Sequence, residues 1–221
     1  MYNQIKILSP QEHGFYRYTP ATDFFYAKAL NLIPVTFCEL KLLCCDYPIV
    51  VMIQNGQPQL MLLTGVETNG AVDDKGAWRG TYVPAFLRRY PFTLVQGETE
   101  ESLAIGFDLE SGLFSSPEGQ PLFDTEGTPT PILNEVKQLL SAFQEESRIT
   151  QNILMRMAEK SLFSSTELTL PKRDGTPQHV GGFFMIDKKK LKESDDAFLL
   201  EAVKNGWMEM VELQNLSLTV C

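Results

Sequence analysis

Two apolar segments joined by Asn55-Gly56 constrain the fold of this chain more than any other feature. Residues 47–53 and 58–63 are almost continuously apolar, and an Asn-Gly pair between such runs is the strongest short signal for a β-hairpin with a type I′ turn. A strand with one solvated face alternates apolar and polar residues, whereas a continuous apolar run indicates burial on both faces. The hairpin is therefore predicted to lie at the centre of the core.

A second hairpin and a long helical segment follow. Residues 92–95 are predicted to pair with residues 103–107 across the acidic stretch 97–101. Thr130 is a helix cap followed by proline at the first helical position, and apolar residues keep one helical face from there to residue 162. The segment at about 130–162 is predicted to be either one long broken helix or two helices in a hairpin.

The C-terminal part is predicted to be a short helix–strand unit. Residues 183–186 have strand character, Ser194 is predicted to cap a helix that stops at Gly206, and residues 208–213 are predicted to form a closing strand. No internal repeat is evident in the sequence. Together these elements predict an α+β fold, with a mostly antiparallel sheet and the helical segment packed on it.

Length and composition favour one domain over residues 1–221. Hydrophobic residues make up 43% and charged residues 21% of the chain, which is typical of a folded protein and unlike a disordered one. The domain is predicted to have a β-rich part at 1–127, a helical segment at 128–163 and a C-terminal part at 164–221. The net charge of -9 repels phosphate backbones, so nucleic acid is excluded as a predicted partner.

The N-terminus and the cysteines predict a reduced, cytoplasmic chain. The first residues lack the basic and apolar regions of a secretory signal, and no apolar run is long enough to span a bilayer. Cys38, Cys44, Cys45 and Cys221 show no CxxC spacing. We therefore expect Cys44 and Cys45 to be small buried apolar residues rather than ligands.

The sequence contains few of the residues that catalysis or cofactor binding needs. It has two histidines, His13 and His179, so a non-haem iron site would require both together with an acid such as Asp187. The nucleophile elbow, the dinucleotide-binding glycine pattern and the P-loop are all missing from the sequence. We therefore predict no catalytic residue, no metal site and no cofactor, and the two histidines are interpreted as ordinary surface or loop residues.

Residues 78–92 combine five aromatic residues with three arginines and two prolines. Trp, Tyr and Arg contribute most to recognition surfaces, and the planar guanidinium group suits carboxylates and other anions. Trp78, Tyr82, Arg88 and Arg89 are therefore predicted to bind a ligand or partner. Two alternatives remain open: the arginines pair with acids of this chain, or the whole string is a structural corner between sheets.

These segments resemble the SapC family of bacterial proteins. The resemblance rests on residues 47–50, the string Tyr-Val-Pro-Ala-Phe-Leu-Arg-Arg-Tyr-Pro-Phe at 82–92, residues 119–123, the pairs 182–183 and 186–187 with Leu191, and residues 216–218. The family takes its name from a link to a paracrystalline surface layer, and its members are often encoded near outer-membrane receptors and flavin-dependent halogenase-like proteins. Members often carry a histidine before a Leu-x-Ser-Leu sequence, and this chain has none at 211–215.

The residues and the resemblance together support two functional hypotheses. The first is a non-catalytic binding or assembly protein of the surface layer or cell envelope, whose partner is an unknown protein or a small anionic ligand. The second is an enzyme, or an accessory subunit of one, that modifies a small molecule, for example a metal-dependent oxygenase built on His13 and His179.

Overall fold

The computed structural model describes residues 1–97, 102–114, 117–172 and 175–220. All paired strands run antiparallel, so the predicted α+β class with antiparallel sheets and a long central helix is confirmed. In chain order the elements are β1 (Ile5–Ile7), α1 (Pro10–His13), β2 (Arg17–Tyr18), β3 (Leu32–Pro34), α2 (Leu40–Leu43), β4 (Ile49–Gln54), β5 (Gln57–Leu63), α3 (Ala85–Arg88), β6 (Phe92–Gln96), β7 (Leu103–Asp108), β8 (Gln120–Pro121), α4 (Pro131–Glu159), β9 (Phe163–Pro171), β10 (Pro177–Ile186), α5 (Lys188–Lys192), α6 (Asp196–Lys204) and α7 (Trp207–Ser217).

The backbone groups into two compact units. Unit 1 comprises Met1–Phe24 and Ala85–Gln144, and unit 2 comprises Phe25–Pro84 and Glu145–Cys221. Each unit is therefore built from two separate stretches of chain. The division into parts at residues 127 and 163, inside one domain, stays a prediction.

The Asn-Gly hairpin forms as predicted and consists of β4 and β5. Asn55 has φ 51° and Gly56 has φ 75°, the two left-handed residues that a type I′ turn requires. The register is set by this turn, with Gln54 opposite Gln57 at the tip. Most of the apolar side chains on both faces of the hairpin are buried, in agreement with the continuous apolar runs.

Unit 1 contains the three-stranded sheet β1-β7-β6 and the small sheet β2-β8. The second predicted hairpin is confirmed as β6 and β7, with Phe92 opposite Phe107; residues 98–101 of its acidic stretch lie outside the described residues. Inner-face residues of the sheet pack against the first half of α4. The buried core of this unit consists of Tyr18, Phe92, Phe107, Leu122, Phe123, Leu133 and Leu140.

Unit 2 contains the five-stranded sheet β3-β5-β4-β10-β9. The strand predicted at 183–186 is the end of β10, which pairs with β9 throughout but with β4 at a single position, Phe184 opposite Val51. The β9–β10 register shifts between Val180 and Phe183, where Gly182 has φ 86°. One buried cluster of this unit consists of Val50, Met61, Leu63, Leu168, Leu170 and Phe183.

Two predictions for the C-terminal part are wrong. Residues 208–213 are not a strand but belong to helix α7, because the buried side chains Trp207, Met210, Val211, Gln214 and Ser217 recur at helical spacing. The cap of α6 is Asp195 rather than Ser194, since the Asp195 carboxylate accepts the Phe198 N–H at 2.9 Å. For the central segment, the structure selects one continuous helix, α4, rather than two.

The cysteine prediction is correct in one half only. Cys44 is buried, as expected for a small apolar residue, and burial raises the pKa of its thiol. Cys45 is exposed, although its Sγ atom lies 3.9 Å from that of Cys44. Cys38 is also exposed and free, and Cys221 lies outside the described residues.

The two units share one three-stranded motif, which the sequence does not reveal. In unit 2 it is β3-β5-β4, and in unit 1 it is β1-β7-β6. In both units, an edge strand pairs with the second strand of a hairpin. When Leu62 of unit 2 is matched with Phe107 of unit 1, the strand pairings of the two units have the same register. The matching pairs are Leu32↔Leu63 and Ile5↔Asp108 for the edge strand, and Ile49↔Leu62 and Phe92↔Phe107 for the hairpin.

The residues that flank this motif also correspond. A Tyr-Pro pair precedes each hairpin, and the proline carbonyl accepts an N–H from the second strand: Leu63 to Pro48 at 2.9 Å and Asp108 to Pro91 at 3.0 Å. A hydroxyl residue follows each edge strand, and a side chain of the next helical turn accepts its backbone N–H: Glu39 for Thr36 and His13 for Ser9. An Asp-x-x-Gly loop follows each hairpin, beginning at Asp73 and at Asp124. The chain therefore contains an internal structural repeat, contrary to the expectation from sequence.

Candidate functional site

Arg89 of unit 1 has the least ordinary environment among the predicted binding residues. It follows the single-turn helix α3, and its N–H donates to the Ala85 carbonyl at 3.1 Å. Its guanidinium carbon lies 4.4 Å from the ring centre of Phe86, 5.0 Å from that of Phe143 and 5.9 Å from that of Tyr2. The cation is therefore held among three aromatic rings.

The Nε atom of Arg89 is buried and has no hydrogen-bond partner. Burying a charged donor without an acceptor costs free energy, and the three rings offset part of that cost. Within the described residues, no carboxylate lies within ion-pair distance of this guanidinium. Among the described residues of unit 1, this cation is therefore not paired with an acid.

The buried acid of unit 1, Asp108, has other partners. Its carboxylate accepts the backbone N–H groups of Asn3 at 3.1 Å and Gln4 at 2.9 Å, and the Tyr90 hydroxyl at 3.1 Å. Burial, together with the charge of Asp108, raises the pKa of Tyr90. Asp108 therefore fastens the N-terminal residues to the Tyr90-Pro91 corner, where the peptide bond is cis.

Tyr2 connects this corner with the arginine. Its hydroxyl donates to the Phe92 carbonyl at 2.7 Å, and its ring lies 5.4 Å from that of Tyr90. Burial raises the pKa of Tyr2, while the charge of Arg89 acts in the opposite direction. The phenol consequently stays neutral at physiological pH, and it does not neutralise the guanidinium group.

Arg88 is exposed and is the last residue of α3. In the one-turn helix that precedes the Tyr90-Pro91 corner, its side chain extends towards solvent, whereas the neighbouring Leu87 is fully buried. The two predicted arginines therefore differ: Arg88 is a surface cation, and Arg89 is half-buried among aromatic rings.

Trp78 and Tyr82 lie in unit 2, in the loop that closes its repeat. The Trp78 indole N–H donates to the Tyr82 carbonyl at 2.9 Å, Trp78 forms a backbone bridge with Val72, and its ring lies 6.0 Å from that of Tyr47. Both side chains are half-buried. Because the indole N–H has an internal partner, Trp78 can offer a ligand ring surface but no hydrogen bond.

Asp46 holds the same loop in place. One of its carboxylate oxygens accepts both the N–H and the hydroxyl of Thr81, each at 2.7 Å. At Gly80, a Cβ atom would lie 2.8 Å from the Trp78 indole nitrogen and 3.0 Å from the Tyr47 ring, so a side chain would displace that packing. This part of the 78–92 segment is therefore built tightly into unit 2.

The repeat makes Asp46 and Arg89 equivalent positions, because each directly precedes a Tyr-Pro pair. Asp46 uses its carboxylate for Thr81 of its own unit. Arg89 has the opposite charge, and its Nε atom has no acceptor. Asp46 therefore fixes a loop of unit 2, whereas Arg89 at the equivalent position of unit 1 does not have this role.

Sequence reasoning did not identify the aromatic residues around Arg89. Phe143 was assigned to the apolar face of the central helix and Phe86 to the short apolar run before the arginines, while Tyr2 carried no signal at all. Their common role follows from three-dimensional proximity, since they come from the N-terminus, α3 and α4. An arginine in a segment rich in aromatic residues was the one available indication.

The residues of the metal-site hypothesis have local structural contacts. The expected surface or loop position is wrong for His13, which ends helix α1 and is buried in unit 1, where its Nδ1 accepts the Ser9 N–H at 3.1 Å. His179 is exposed on β10 of unit 2, with Nδ1 3.0 Å from the Thr169 hydroxyl. Asp187 caps α5. Among the described residues, no group of three or more His, Cys, Asp or Glu side chains is placed to hold a metal ion.

A groove of about 430 Å³ lies in unit 2 between α4, α6 and α7. Its apolar floor includes Ile153 and Trp207, and its rim carries Arg156 and Glu201. These two charges pair with each other at 3.0 Å, and Arg156 also pairs with Glu159 at 2.6 Å. In contrast to Arg89, the cation of this groove already has its anions.

Comparison with known proteins gives one positive result. The sequence model of the SapC family matches residues 8–220, nearly the whole chain. No curated protein and no solved structure matches the chain significantly. In the described part of the chain, no helix combines the length and the apolar character needed to cross a bilayer.

Proposed function

We propose that this chain, which belongs to the SapC family, acts by binding rather than by catalysis, and that Arg88 and Arg89 receive an anionic group of its ligand or partner. One observation carries the proposal: the Arg89 guanidinium lies among three aromatic rings, with a buried Nε donor that has no acceptor. A carboxylate or phosphate beside the guanidinium group would supply the missing charge, and it would bond to the covered Nε atom only if the surrounding rings moved apart.

The environment of Arg89 favours an anion over a neutral ligand. Flat rings around a guanidinium group exclude water and hold the group in one orientation, which strengthens a charge-assisted hydrogen bond from it. The exposed neighbour Arg88 adds a second positive charge, in a chain whose net charge is -9. The two arginines would therefore act together, with Arg89 fixing the geometry and Arg88 attracting the anion.

Trp78 and Tyr82 are proposed as aromatic binding residues of unit 2 by itself. Both are half-buried, so each would offer part of a ring rather than a whole side chain. Because the Trp78 N–H already donates to Tyr82, the contribution of Trp78 would be apolar contact.

We further propose that the bound partner belongs to the surface layer or cell envelope and that the chain binds it from the cytoplasm. The family membership supports the first part, through the link from which the family takes its name. The second part is supported by the free and exposed cysteines Cys38 and Cys45, which are typical of a reducing compartment.

Replacement of both arginines tests the anion proposal. In Arg88→Ala/Arg89→Met, the methionine keeps apolar contact with the rings while removing the charge, so we expect the melting temperature to change by no more than a few degrees. Affinity for succinate and for inorganic phosphate, measured by calorimetry, should fall at least tenfold relative to the wild type. Capture of partners from a lysate of the native host, identified by mass spectrometry, should fall in parallel.

Arg148→Ala is the matched control, since it removes an exposed arginine that pairs with Glu145 at 2.6 Å. This control should bind both anions and capture partners as the wild type does. Unchanged anion binding and unchanged capture in the double variant would refute the proposal. Unfolding of the double variant would show that Arg89 is needed for packing instead.

A further inference from the structure

One part of the outer face of the unit 1 sheet is apolar and exposed, whereas Asp108 and Thr93 on the same face are polar and buried. Ile5 and Ile7 of β1 are 45% and 52% exposed, and the half-buried Val95 of β6 lies on the same face. At Gly106 between them, a Cβ atom would meet the side chains of Val95 and Ile5 at 2.8 and 2.9 Å. The isoleucine and the valine therefore converge over a glycine and form one continuous apolar strip.

In unit 2, the equivalent face is covered. The repeat matches Thr93 with Val50, Gly106 with Met61 and Asp108 with Leu63, and these three residues of unit 2 are 0%, 8% and 2% exposed. Their covering residues come from the β9–β10 hairpin. They are Leu168, Leu170 and Phe183, with Val180 at the margin.

The same hairpin extends the sheet of unit 2 at β4. Phe184 of β10 pairs with Val51, and the repeat matches Val51 with Leu94 of β6. In the described residues, β6 is the end strand of its sheet, so no strand takes the corresponding place beside Leu94. Tyr2 occupies only the beginning of β6, through its bond to the Phe92 carbonyl.

We propose that the apolar strip and the β6 edge of unit 1 form a docking surface for a β-hairpin of a partner protein. One strand of this hairpin would add beside Leu94 and Gln96, and the hairpin would fold back over the sheet so that its apolar side chains cover Ile5, Ile7 and Val95, as the β9–β10 hairpin covers the equivalent face of unit 2. Unit 2 supplies the precedent within the same chain, because there an apolar strand pairs with the equivalent edge. The strip residues Ile5, Ile7 and Val95 are not part of the proposed anion site, although Tyr2 of that site bonds to the beginning of β6.

The net negative charge of this chain favours a basic partner protein, rather than a second copy of the chain, as the molecule that binds this surface. At a net charge of -9, two copies repel each other, and the strip itself has no basic residue to offset the repulsion. An apolar segment flanked by lysine or arginine would instead be attracted. The strand β10 has this character, since its apolar end at 183–186 is followed by Lys188, Lys189 and Lys190.

A synthetic peptide with the sequence of residues 163–190 of this chain, which contains the β9–β10 hairpin and the lysines that follow it, is labelled with fluorescein and provides the probe. We expect saturable binding to the full chain in fluorescence anisotropy, and slower hydrogen exchange of the Leu94 and Gln96 amides in the complex. Ile5→Ser/Ile7→Ser should weaken binding at least tenfold, because it removes the apolar strip. Gln96→Pro should also weaken it, because proline removes an outward N–H of β6 without affecting a buried side chain.

Ile53→Ser is the matched control, since Ile53 is 42% exposed at the position of unit 2 that corresponds to Gln96. This variant should bind the peptide as the wild type does. Absence of saturable binding up to about 1 mM would overturn the proposal, and so would equal binding by the strip variants. If the wild type sediments as a dimer that Ile5→Ser/Ile7→Ser dissolves, the occupant is a second copy and the assignment to a partner is wrong.

Discussion

Gln214 of α7 connects the closing helix to two strands of unit 2. Its side chain is fully buried, its Nε2 donates to the Ile49 carbonyl at 2.8 Å, and its Oε1 accepts the Ile186 N–H at 3.2 Å. Ile49 lies on β4 and Ile186 on β10, two strands that are paired with each other only at Phe184 and Val51. A single amide therefore holds the two strands at the place where their own ladder ends.

We predict that Gln214→Ala lowers the free energy of unfolding by about 4 kcal/mol. The substitution leaves one buried carbonyl and one buried N–H without partners, and each unsatisfied group costs about 1–3 kcal/mol. The cavity left by the truncated side chain adds to this cost. Asn215 cannot replace the amide, because its own Nδ2 already donates to the Ile186 and Val211 carbonyls at 2.9 Å each.

Urea unfolding followed by tryptophan fluorescence measures this effect in the appropriate unit. Both tryptophans, Trp78 and Trp207, belong to unit 2, so the signal reports the unit that contains the amide. Gln138→Ala, which changes an exposed glutamine on α4, is the control and should stay within about 0.5 kcal/mol of the wild type. A loss below about 1 kcal/mol for Gln214→Ala would refute the argument, because the two strands would then hold together without the clamp.

Two further predictions concern one residue in each unit. Burial raises the pKa of Tyr18 to about 12, above the value of about 10 in an unfolded chain. The neutral Tyr18 phenol therefore contributes its full stabilisation below pH 10, and this stabilisation is lost as the pH rises towards 12. In Tyr18→Phe, the free energy of unfolding measured with urea should fall less steeply over this pH range, by up to about 1.4 kcal/mol per pH unit. An unchanged slope of the free energy of unfolding against pH would contradict the burial argument. Asp46→Ala should cost unit 2 about 1–2 kcal/mol, because Thr81 loses both of its bonds to the carboxylate, while Asp46→Asn should recover part of the loss; equal stability of all three chains would show that the loop does not need this contact.

The elements with strong local signals were predictable from sequence. The Asn55-Gly56 turn fixes a two-residue hairpin whatever surrounds it, because both residues accept left-handed φ values. Helix α4 is indicated in the sequence by proline at its first position and by a long apolar face. In these cases the backbone conformation and the burial pattern point to the same element.

Helix α7 was missed because its buried face is partly polar. Residues 208–213 alternate apolar and acidic side chains closely enough to imitate a strand, and the helical face becomes visible only when Gln214 and Ser217 are counted as buried. Both are polar residues satisfied by the backbone of β4: the Ile49 carbonyl accepts from Gln214, and the Ile49 N–H donates to Ser217 at 2.9 Å. An analysis of sequence periodicity assigns polar residues to the solvent face. Helix α7 therefore cannot be recognised without its hydrogen bonds to β4.

The internal repeat escaped sequence reasoning for a topological reason. In unit 2, the edge strand β3 shortly precedes its hairpin, whereas in unit 1 the first half of unit 2 separates β1 from β6 and β7. A search for a sequence repeat at constant spacing therefore fails. The two copies of the motif share their strand register and a few backbone hydrogen bonds, but few residue types. Tyr-Pro before each hairpin and Asp-x-x-Gly after it are the short identities that survive.

The repeat also explains why the 78–92 segment is so dense in aromatic residues and arginine. In sequence, the loop with Trp78 and Tyr82 that ends the copy in unit 2 is followed directly by α3 and the Tyr90-Pro91 corner, which precede the hairpin of the copy in unit 1. The unit boundary falls between Pro84 and Ala85. Closing one motif and opening the next accounts for the packing of Trp78, Tyr82 and Tyr90 by structure alone. It does not account for Arg89, whose counterpart Asp46 uses its charge within its own unit, so the guanidinium group is the part of this segment that demands a functional explanation.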